Sequence, residues 1–409
     1  MTWEKIKLQN CCLSIADGDH QPPPKAENGI PFITISNFTN TNDIDFTNTM
    51  FVPDKYYHQL DSKRKAQSGD ILYSVVGSFG IPVLIKEKHA FVFQRHIAIL
   101  RPDKNKIDPA FLFYTMLNSS FYAKADAVAV GSAQRTISLG ALRNIEINLP
   151  NLSVQQRIVK VLSAYDELIE VNQKQIRLLE EAARRLYREW FVDLRFPGHE
   201  DTPITDGIPA GWTSLALSQI FDYTRGKSYS SEELSNTDGI CLINLNNVNA
   251  WGGYKRGVEK RFTGTYSENH EVKSGDIIMA VTDMTQERRL VGHVALVPVL
   301  AEKALISMDL IKITPKEPVT HYFLYSMLRF SSIAEQISQY ANGANVLHLR
   351  PENIARLKAH IPSKSIMMRF EKIVANYYAK IEPLEKQILL LQEARNRLLP
   401  KLMNGEIEV

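Results

Sequence analysis

The sequence has few cysteines and no hydrophobic run that could cross a membrane. Its three cysteines include the adjacent pair Cys11 and Cys12, which is too few for a disulfide framework, and none stands at metal-ligand spacing from a histidine. The longest apolar stretch, near residues 291–301, is far shorter than the roughly 20 residues of a membrane helix. No basic segment with an apolar core opens the chain. These absences predict a soluble, cytoplasmic protein with no membrane partner.

The chain also lacks a strong excess of charge of either sign. Its net charge is +3, with 23% charged and 44% apolar residues, which is ordinary for globular protein. Residues 1–152 hold sixteen Lys or Arg against fourteen Asp or Glu, and residues 205–362 hold sixteen of each. Bulk charge therefore neither requires nor excludes a nucleic acid, and any such interface has to be a local patch.

Catalytic signatures are absent as well. We find no Walker A segment, no HExxH and no Asp/Asn-Pro-Pro-aromatic motif of DNA methyltransferases. One degenerate pattern, Asp54 followed by Asp61 and Lys63, has the residue types of a magnesium-dependent nuclease, in which two carboxylates bind the metal beside a lysine. The later part of the chain has no equivalent near Asp276, so nuclease activity is only an alternative and no metal site is predicted.

What the sequence does contain is a copy of part of itself. Residues 150–191 align without a gap with residues 362–403 at a constant offset of 212. The recurring residues are Arg157, Lys160, Tyr165, Ile169, Glu170, Lys174, Gln175, Ile176, Leu178, Leu179, Glu181, Ala182, Arg185 and Leu186, repeated as Arg369, Lys372, Tyr377, Ile381, Glu382, Lys386, Gln387, Ile388, Leu390, Leu391, Glu393, Ala394, Arg397 and Leu398. Self-similarity at a fixed period indicates a repeat architecture.

The similarity continues upstream more faintly. Residues 29–33 align with residues 239–243 at an offset of 210. Ser68-Gly69-Asp70-Ile71 recurs at an offset of 206, and Gly131 recurs as Gly343 at an offset of 212. We therefore predict a tandem duplication of a variable lobe followed by a long helix. The predicted segments are lobe 1 (residues 1–152), a first helix (153–194), a linker (195–212), lobe 2 (205–363), a second helix (364–403) and a C-terminal tail (404–409).

Both repeated segments carry a coiled-coil seam. Apolar residues fall at alternating steps of four and three, from Ile158 to Trp190 and again from Phe370 to Leu402. A helix of about 38 residues would be nearly 60 Å long, which no lobe can bury internally. Its partner is most simply the other copy, packed antiparallel about an approximate two-fold axis, with the lobes held apart.

The ends and the middle of these helices are also marked in the sequence. Ser153 followed by Gln156 predicts a capping-box start for the first helix. Pro383 replaces Val171 and removes a backbone donor, so it should kink or split the second helix.

Each lobe has the composition of a mixed fold. Short runs such as residues 32–35, 71–75, 97–100 and 310–313 predict strands, whereas residues 108–125 and 319–340 predict helices. The expected fold class is α/β (α+β): two mixed lobes with largely antiparallel or mixed sheets, separated by two long antiparallel helices in a coiled coil.

Basic clusters with aromatic and amide neighbours lie at different places in the two lobes. The candidate DNA contacts are Lys63, Arg64, Lys65, Gln94, Arg95, His96 and Arg135 in lobe 1, and Lys255, Arg256, Lys260, Arg261, Arg288 and Arg289 in lobe 2. Arg and Lys donate to guanine edges and to phosphates. Unlike surfaces on a repeated scaffold suit an asymmetric two-part target. A coiled-coil adaptor without DNA binding remains the structural alternative.

The order of these features resembles the specificity subunit of type I restriction-modification systems. The resemblance rests on the duplicated lobe-plus-helix plan, the lobe exit at residues 131–138 with Leu149-Pro150, and the helix stretches 155–159 and 176–182. It covers essentially the whole chain. One departure is Arg350-Pro351 in place of Ser138-Leu139, which predicts an atypical exit from lobe 2.

The resemblance implies that each lobe is a target-recognition domain that binds half of a bipartite double-stranded DNA site in the major groove. The helices would set the spacing and dock two adenine-N6 methyltransferase subunits that use S-adenosylmethionine, and motor-nuclease restriction subunits using ATP and Mg could join. This chain would be non-catalytic and bind no cofactor. The predicted docking and spacer residues are Tyr165, Ile169, Ile176, Leu179, Tyr377, Ile381, Ile388 and Leu391.

Overall fold

The computed structural model describes residues 3–18, 23–39, 41–47, 49–77, 79–87, 89–131, 134–235, 237–300 and 302–409. Ser132 and Ala133 of the predicted lobe exit lie outside these ranges. The chain forms two compact units: residues up to Glu170 together with Leu389–Val409, and Val171–Ile388. Each unit contains one lobe and one end of each long helix.

The first unit contains a mixed α/β lobe. Its strands are β1 Glu4–Lys7, β2 Cys12–Asp17, β3 Ile30–Ile33, β4 Met50–Val52, β5 Ile71–Ser74, β6 Pro82–Leu84, β7 Val92–Phe93, β8 Ile97–Pro102 and β9 Glu146–Leu149. Its helices are α1 Leu8–Cys11, α2 Asp54–Gln59, α3 Pro109–Leu117, α4 Ser119–Val128 and α5 Leu139–Asn144, with 3₁₀ turns at Ile35–Asn37 and Ser62–Arg64. The sheets have the strand orders β2-β8-β5-β6, β4-β3-β7 and β1-β9.

The first long helix, α6, spans Leu152–Tyr187 and continues into a π turn at Arg188–Val192. In the second unit the strands are β10 Ile204–Thr205, β11 Ile208–Pro209, β12 Thr213–Ala216, β13 Phe221–Arg225, β14 Leu234–Ser235, β15 Ile240–Ile243, β16 Lys260–Phe262, β17 Glu271–Val272, β18 Ile277–Ala280, β19 Thr282–Asp283, β20 Val294–Leu296, β21 Ala304–Ile306, β22 Leu310–Pro315, β23 Leu347–His348 and β24 Lys358–Ile361. The helices are α7 Leu217–Ile220, α8 His321–Phe330, α9 Ile333–Ser338, α10 Pro351–Ile354 and the second long helix, α11 Lys364–Met403, with 3₁₀ turns at His199–Asp201, Ser231–Glu233, Leu245–Asn247 and Glu268–His270.

The sheets of lobe 2 repeat those of lobe 1. The antiparallel order β13-β22-β18-β20 matches β2-β8-β5-β6, and the pair β12-β24 matches β1-β9. The five-stranded order β14-β16-β15-β21-β17 contains the counterpart of β4-β3-β7, including one parallel pair in each lobe. These pairings confirm the predicted tandem repeat and the predicted mixed sheets.

The repeated Ser-Gly-Asp-Ile motif is one turn built twice. A carboxylate oxygen of Asp70 accepts the amide proton three residues earlier at 2.9 Å, and Asp276 does the same at 3.0 Å. The glycine before each aspartate has a left-handed backbone, with φ of 92° at Gly69 and 86° at Gly275, which favours glycine. The motif therefore recurs because it fixes the entry of the central strands β5 and β18.

The two long helices pair antiparallel in both units. In the first unit, Ile158 and Leu162 near the start of α6 share a buried core with Leu402 near the end of α11. In the second unit, Tyr187 near the end of α6 packs edge-on against Phe370 near the start of α11, with ring centroids 6.1 Å apart. The predicted antiparallel coiled coil is confirmed. No helix in the described part of the chain is long and apolar enough to cross a bilayer.

The predicted start of the first helix was wrong, and of the two outcomes predicted for Pro383, a kink or a split, the split does not occur. The first helix begins one residue earlier than Ser153, because the side chain of Asn151 accepts the Val154 amide proton at 3.0 Å and caps the helix instead. Pro383 does not split the second helix, which is continuous from Lys364 to Met403.

Each predicted lobe helix is divided into two helices, and the predicted linker is packed against the second unit. The segment 108–125 forms α3 and α4, because the side chain of Asn118 accepts the Ser120 amide proton at 3.2 Å and starts a second helix. The segment 319–340 likewise forms α8 and α9. The linker packs into the second unit through Phe196, which is buried against Trp212 with ring centroids 5.6 Å apart.

Candidate nucleic-acid interface

A buried ion pair positions the basic segment Lys63–Lys65 of lobe 1. Arg101 on β8 donates to Asp70 at 2.8 and 3.0 Å, and both side chains are largely buried. The same guanidinium donates to the carbonyl of Lys65 at 2.8 Å. Lys63 is left exposed, whereas Lys65 donates to the His58 carbonyl at 3.0 Å. The buried pair thus fixes the backbone from which these cations project.

A cleft of about 370 Å³ in lobe 1 is lined by two of the predicted residues, Arg95 and His96. Its lining includes Asp17, Arg95, His96 and Gln134. Arg64 from the basic segment approaches the carboxylate of Asp17 at 3.6 Å, which places that segment beside the cleft. The cleft therefore lies where basic, amide and imidazole groups converge.

The remaining predicted residues of lobe 1 differ in how firmly they are held. Arg95 is exposed, and Gln94 and His96 are half-buried, in the turn between β7 and β8. Arg135 donates to the carboxylate and carbonyl oxygens of Asp126, both at 2.5 Å, so its charge is already paired within the lobe.

Two of the four predicted cations in the 255–261 region of lobe 2 have structural partners. Arg256 pairs with Glu385 on α11 at 2.5 Å, and both side chains are largely buried. Arg261 pairs with Glu302 at 2.6 Å. Lys255 is exposed, and the ammonium of exposed Lys260 lies 6.0 Å from the centroid of a tyrosine ring. The structure leaves the two lysines, rather than the two arginines, open to a polyanion.

Lobe 2 carries a longer loop than lobe 1 at one edge of the four-stranded sheet. In lobe 1, six residues separate Ser74 and Ile81, whose backbones are hydrogen-bonded at 3.1 Å. In lobe 2, twelve residues separate the corresponding pair, Ala280 and His293, bonded at 3.0 Å. We call residues 281–292 the basic loop, because Arg288 and Arg289 lie within it.

A buried aspartate organises the basic loop. One carboxylate oxygen of Asp283 accepts the backbone and hydroxyl protons of Thr285, both at 2.9 Å. The other accepts the amide protons of Leu290 at 2.7 Å and of Val291 at 3.2 Å. Because the side chain of Asp283 is fully buried, both ends of the loop are tied to one rigid point.

The two arginines of the basic loop also have partners. Arg288 donates to the side chain of Gln339 at 2.9 Å and has a left-handed backbone with φ of 55°. Arg289 is paired with Glu287, and both side chains are roughly half exposed. Arg289 is therefore the arginine of this loop that remains accessible from solvent.

The two lobes present different side chains on the same hydrogen-bonded backbone. The amide of Val75, directly after β5, donates to the carbonyl of His96 at 2.9 Å. The amide of Val281, directly after β18, donates to the carbonyl of Asp309 at 2.8 Å. The residue before His96 is Arg95, and the residue before Asp309 is Met308; both are exposed. A positively charged edge in lobe 1 thus corresponds to an apolar and acidic edge in lobe 2.

The exit from lobe 2 follows the usual path despite its unusual sequence. Ile137 and Leu349 donate equivalent backbone hydrogen bonds at 2.9 and 2.8 Å. Ser138 caps α5 through its side chain, which Arg350 cannot do for α10. Pro351 occupies the first turn of α10 instead, where its fixed φ suits a helix start.

The carboxylates of the alternative nuclease pattern have a simpler role. A carboxylate oxygen of Asp61 accepts the Lys63 amide proton at 2.8 Å and caps the 3₁₀ turn that follows. That hydrogen bond lowers the pKa of Asp61 below its ordinary value. Asp54 lies in the exposed first turn of α2. Within the described ranges, no three His, Cys, Asp or Glu side chains are grouped to hold a metal ion.

The predicted spacer residues lie along the helix seam. Ile169 and Ile381 are buried, whereas the other six are half-buried: Tyr165, Ile176, Leu179, Tyr377, Ile388 and Leu391. Asn172, at a seam position, donates to the side chain of Gln387 at 3.2 Å. Six of the eight therefore offer only part of their side chains to solvent, and their role in docking stays a prediction.

A more exposed face of the two helices is also repeated. Leu178 on α6 is 60% exposed and its copy Leu390 on α11 is 58% exposed. A glutamate follows each leucine one helical turn later, and an arginine follows two turns later. The two form an ion pair in each copy, Glu181 with Arg185 at 2.6 Å and Glu393 with Arg397 at 2.5 Å. We call Leu178, Glu181 and Arg185 and their copies the repeated strips. The recurrence of these residues is visible in the sequence, but their position on an outer face is not.

The comparison with protein families identifies this architecture. The model of the type I restriction modification DNA specificity domain matches residues 2–181 and again residues 209–392, once for each half. The chain belongs to this family. The resemblance inferred from the order of the sequence motifs is confirmed.

Members of the specificity family elsewhere are similar over most of their length. The MjaIX specificity subunit of Methanocaldococcus jannaschii is 27% identical over 331 residues, covering 75% of this chain and 71% of that protein. The HindI specificity subunit of Haemophilus influenzae is 22% identical, covering 90% and 94%. The crystal structure of a type I restriction-modification S subunit from M. genitalium has the same fold, with a TM-score of 0.57 at 16% identity over 98% of this chain and 96% of that one.

Proposed function

We propose that this chain is the DNA sequence-specificity subunit of a type I restriction-modification complex, and that each lobe binds one half of a bipartite, asymmetric site in the major groove. The observation that carries the proposal is the pair of equivalent turns at Arg95 and Met308. A repeated backbone places unlike side chains at the same position. Such a scaffold suits two different half-sites on one duplex.

The accessible cations supply the contacts. In lobe 1 these are Lys63 and Arg95, with His96 and Gln134 in the adjoining cleft. In lobe 2 the corresponding groups are Lys255, Lys260 and Arg289. Arginine and lysine suit guanine edges and phosphates, and glutamine suits adenine. Arg135, Arg256 and Arg261 are assigned to the internal stability of the lobes.

The repeated strips support the assignment of partners. Two equal apolar and charged patches, one on each long helix, suit two copies of the same protein. We assign them to two adenine-N6 methyltransferase subunits that carry S-adenosylmethionine. Restriction subunits that use ATP and Mg are a further partner. In this proposal the chain has no chemistry of its own and is cytoplasmic.

Exchange of lobe 1 tests the proposal. Residues 1–150 are replaced by the lobe of another specificity subunit, and methylated sites are sequenced in a host that also carries the methyltransferase subunit. We expect one half of the methylated site to change and the other half to persist. A change in both halves, or in neither, would contradict independent recognition by the two lobes.

Salt dependence separates the alternatives. A subunit that neutralises several phosphates loses affinity steeply as salt rises, by about 10³-fold or more between 50 and 200 mM for six or more contacts. A coiled-coil adaptor would show no such binding. A nuclease would cleave DNA in magnesium and lose that activity in Asp54→Ala.

A further inference from the structure

One tryptophan of lobe 2 is held outside the core in a strained conformation. Trp251 is 55% exposed, although its side chain is large and apolar. Its φ of 65° lies in the left-handed region, which bulky residues rarely adopt. Backbone strain of this kind persists only where surrounding contacts impose it, and it clusters at functional sites.

The surrounding contacts come from two sides. The amide of Trp251 donates to the carbonyl of Arg289 in the basic loop at 2.8 Å. Its carbonyl accepts a hydrogen bond from the guanidinium of Arg329 on α8. The chain then closes over that guanidinium at Gly252, where a Cβ atom would lie only 2.6 Å from Nη1 and 2.8 Å from a backbone oxygen. Only glycine allows this approach.

The indole itself has one ring contact within lobe 2. One edge contacts the buried ring of His293, with centroids 5.5 Å apart and planes at 83°. More than half of Trp251 is exposed to solvent, and Arg289, whose carbonyl accepts the Trp251 amide proton, has a half-exposed side chain. Lobe 2 thus exposes an apolar side chain next to the segment that carries Arg289.

Lobe 1 builds the same loop without the tryptophan. The Thr39 amide donates to the Asp43 carbonyl at 2.9 Å, as the Asn249 amide donates to the Gly253 carbonyl at 2.9 Å. Thr41 lies two residues after Thr39, and Trp251 lies two residues after Asn249, so the two positions are equivalent. The loop of lobe 1 is polar and acidic, so the aromatic group belongs to one lobe only.

We propose that Trp251 is a DNA-contact residue of lobe 2, which packs its ring against base edges in the major groove of the second half-site while Arg289 beside it contacts a phosphate. Arg329 acts as the positioning residue that holds Trp251 outward. This inference rests on the proposed function, because it assumes that lobe 2 faces DNA. In a duplex the base faces are stacked on each other, and the major groove offers an apolar ring the base edges, including the C5-methyl group of thymine.

Binding measurements test the assignment with matched variants. The full chain is assembled with its methyltransferase subunits, and its affinity is measured by fluorescence anisotropy on a duplex carrying the methylated sequence found in the host. We expect Trp251→Ala to weaken binding about ten-fold or more and Trp251→Phe to retain most of it. Thr41→Ala, at the equivalent position of lobe 1, should bind like the wild type.

Two further measurements separate contact from folding. Arg329→Gln should weaken binding like Trp251→Ala if the loop has to be held in place, with thermal melts monitoring the fold. In the wild type, DNA should protect Trp251 from acrylamide quenching, taken as the difference from Trp251→Phe. Unchanged affinity in Trp251→Ala together with unprotected fluorescence overturns the inference and leaves DNA recognition by lobe 2 intact. Absence of DNA binding by the wild-type complex overturns both.

Discussion

Asp166 on α6 and Arg395 on α11 form an ion pair at 2.5 Å although their positions in the chain differ by 229. Tyr114 from lobe 1 donates to the other carboxylate oxygen of Asp166 at 2.6 Å. At the position equivalent to Asp166, the second copy has Tyr378, which stacks on Tyr322 with centroids 5.1 Å apart. The repeated helices therefore hold their two lobes by different chemistry.

Removal of Arg395 tests how much the polar contact stabilises the first unit. In Arg395→Ala the partly buried Asp166 keeps the hydrogen bond from Tyr114 but loses its paired arginine, so we expect a loss of about 1–3 kcal/mol in the free energy of unfolding. Urea denaturation followed by circular dichroism would measure it. Arg397→Ala removes an exposed arginine two residues later whose pair with Glu393 lies on the surface, and it should cost less than about 0.5 kcal/mol. Equal losses in the two variants would contradict the assigned role.

The second unit should lose stability on mild acidification through His293. Burial lowers the pKa of His293 to about 4, and the charge of Arg329 contributes. The unfolded residue has a pKa of about 6.5, so between pH 6.5 and 4 the unfolded state binds more protons. The stability contribution is complete above pH 6.5 and is lost as pH falls through this window, at up to about 1.4 kcal/mol per pH unit.

Substitution of His293 tests whether this side chain takes up the proton on unfolding. His293→Gln should flatten the dependence of the melting temperature on pH between 6.5 and 4. His348→Gln changes an exposed histidine of the same lobe and should leave the slope as it is. If both variants keep the wild-type slope, another group controls the acid response.

The regular parts of the fold were predictable because they repeat or are periodic. The second helix was predicted at residues 364–403, and the structure has Lys364–Met403. The heptad seam could be predicted from the sequence alone, because apolar residues that repeat about every 3.5 positions lie on one buried face of a coiled-coil helix. The cap at Asn151 was missed because Ser153 offers an equally good local pattern, and only the contacts of the helix start distinguish them.

The site was harder to predict because charge pairing is a tertiary property. The sequence does not show that Arg256 meets Glu385, 129 residues away. By contrast, one signal for the basic loop was present. The repeat offset rises from 206 at the Ser-Gly-Asp-Ile motif to 212 at Gly343, so lobe 2 gains six residues between them. The structure places that gain at residues 281–292.

The repeated strips predict the stoichiometry of the complex. Leu178→Asp should remove one methyltransferase subunit and Leu390→Asp the other, because a charge on the exposed leucine opposes burial in an interface. Native mass spectrometry of the assembled complex would count the subunits. Leu168→Asp changes an exposed leucine of α6 whose copy is Lys380, and it should leave two subunits bound. Two subunits retained in the Leu178→Asp and Leu390→Asp double variant would place docking elsewhere.

Lengthening both helices together should change the spacing between the half-sites. The structure pairs Asn172 with Gln387, so a seven-residue insertion after Asn172 needs a matching insertion beside Gln387 to keep both seams in contact. Seven residues add about 10.5 Å, which corresponds to roughly three base pairs of B-DNA. Sequencing of methylated sites in the host would show both half-sites unchanged and their separation increased. An insertion in α6 alone mismatches the seams and should abolish methylation, whereas an unchanged separation in the double insertion would show that the helices do not set the spacing.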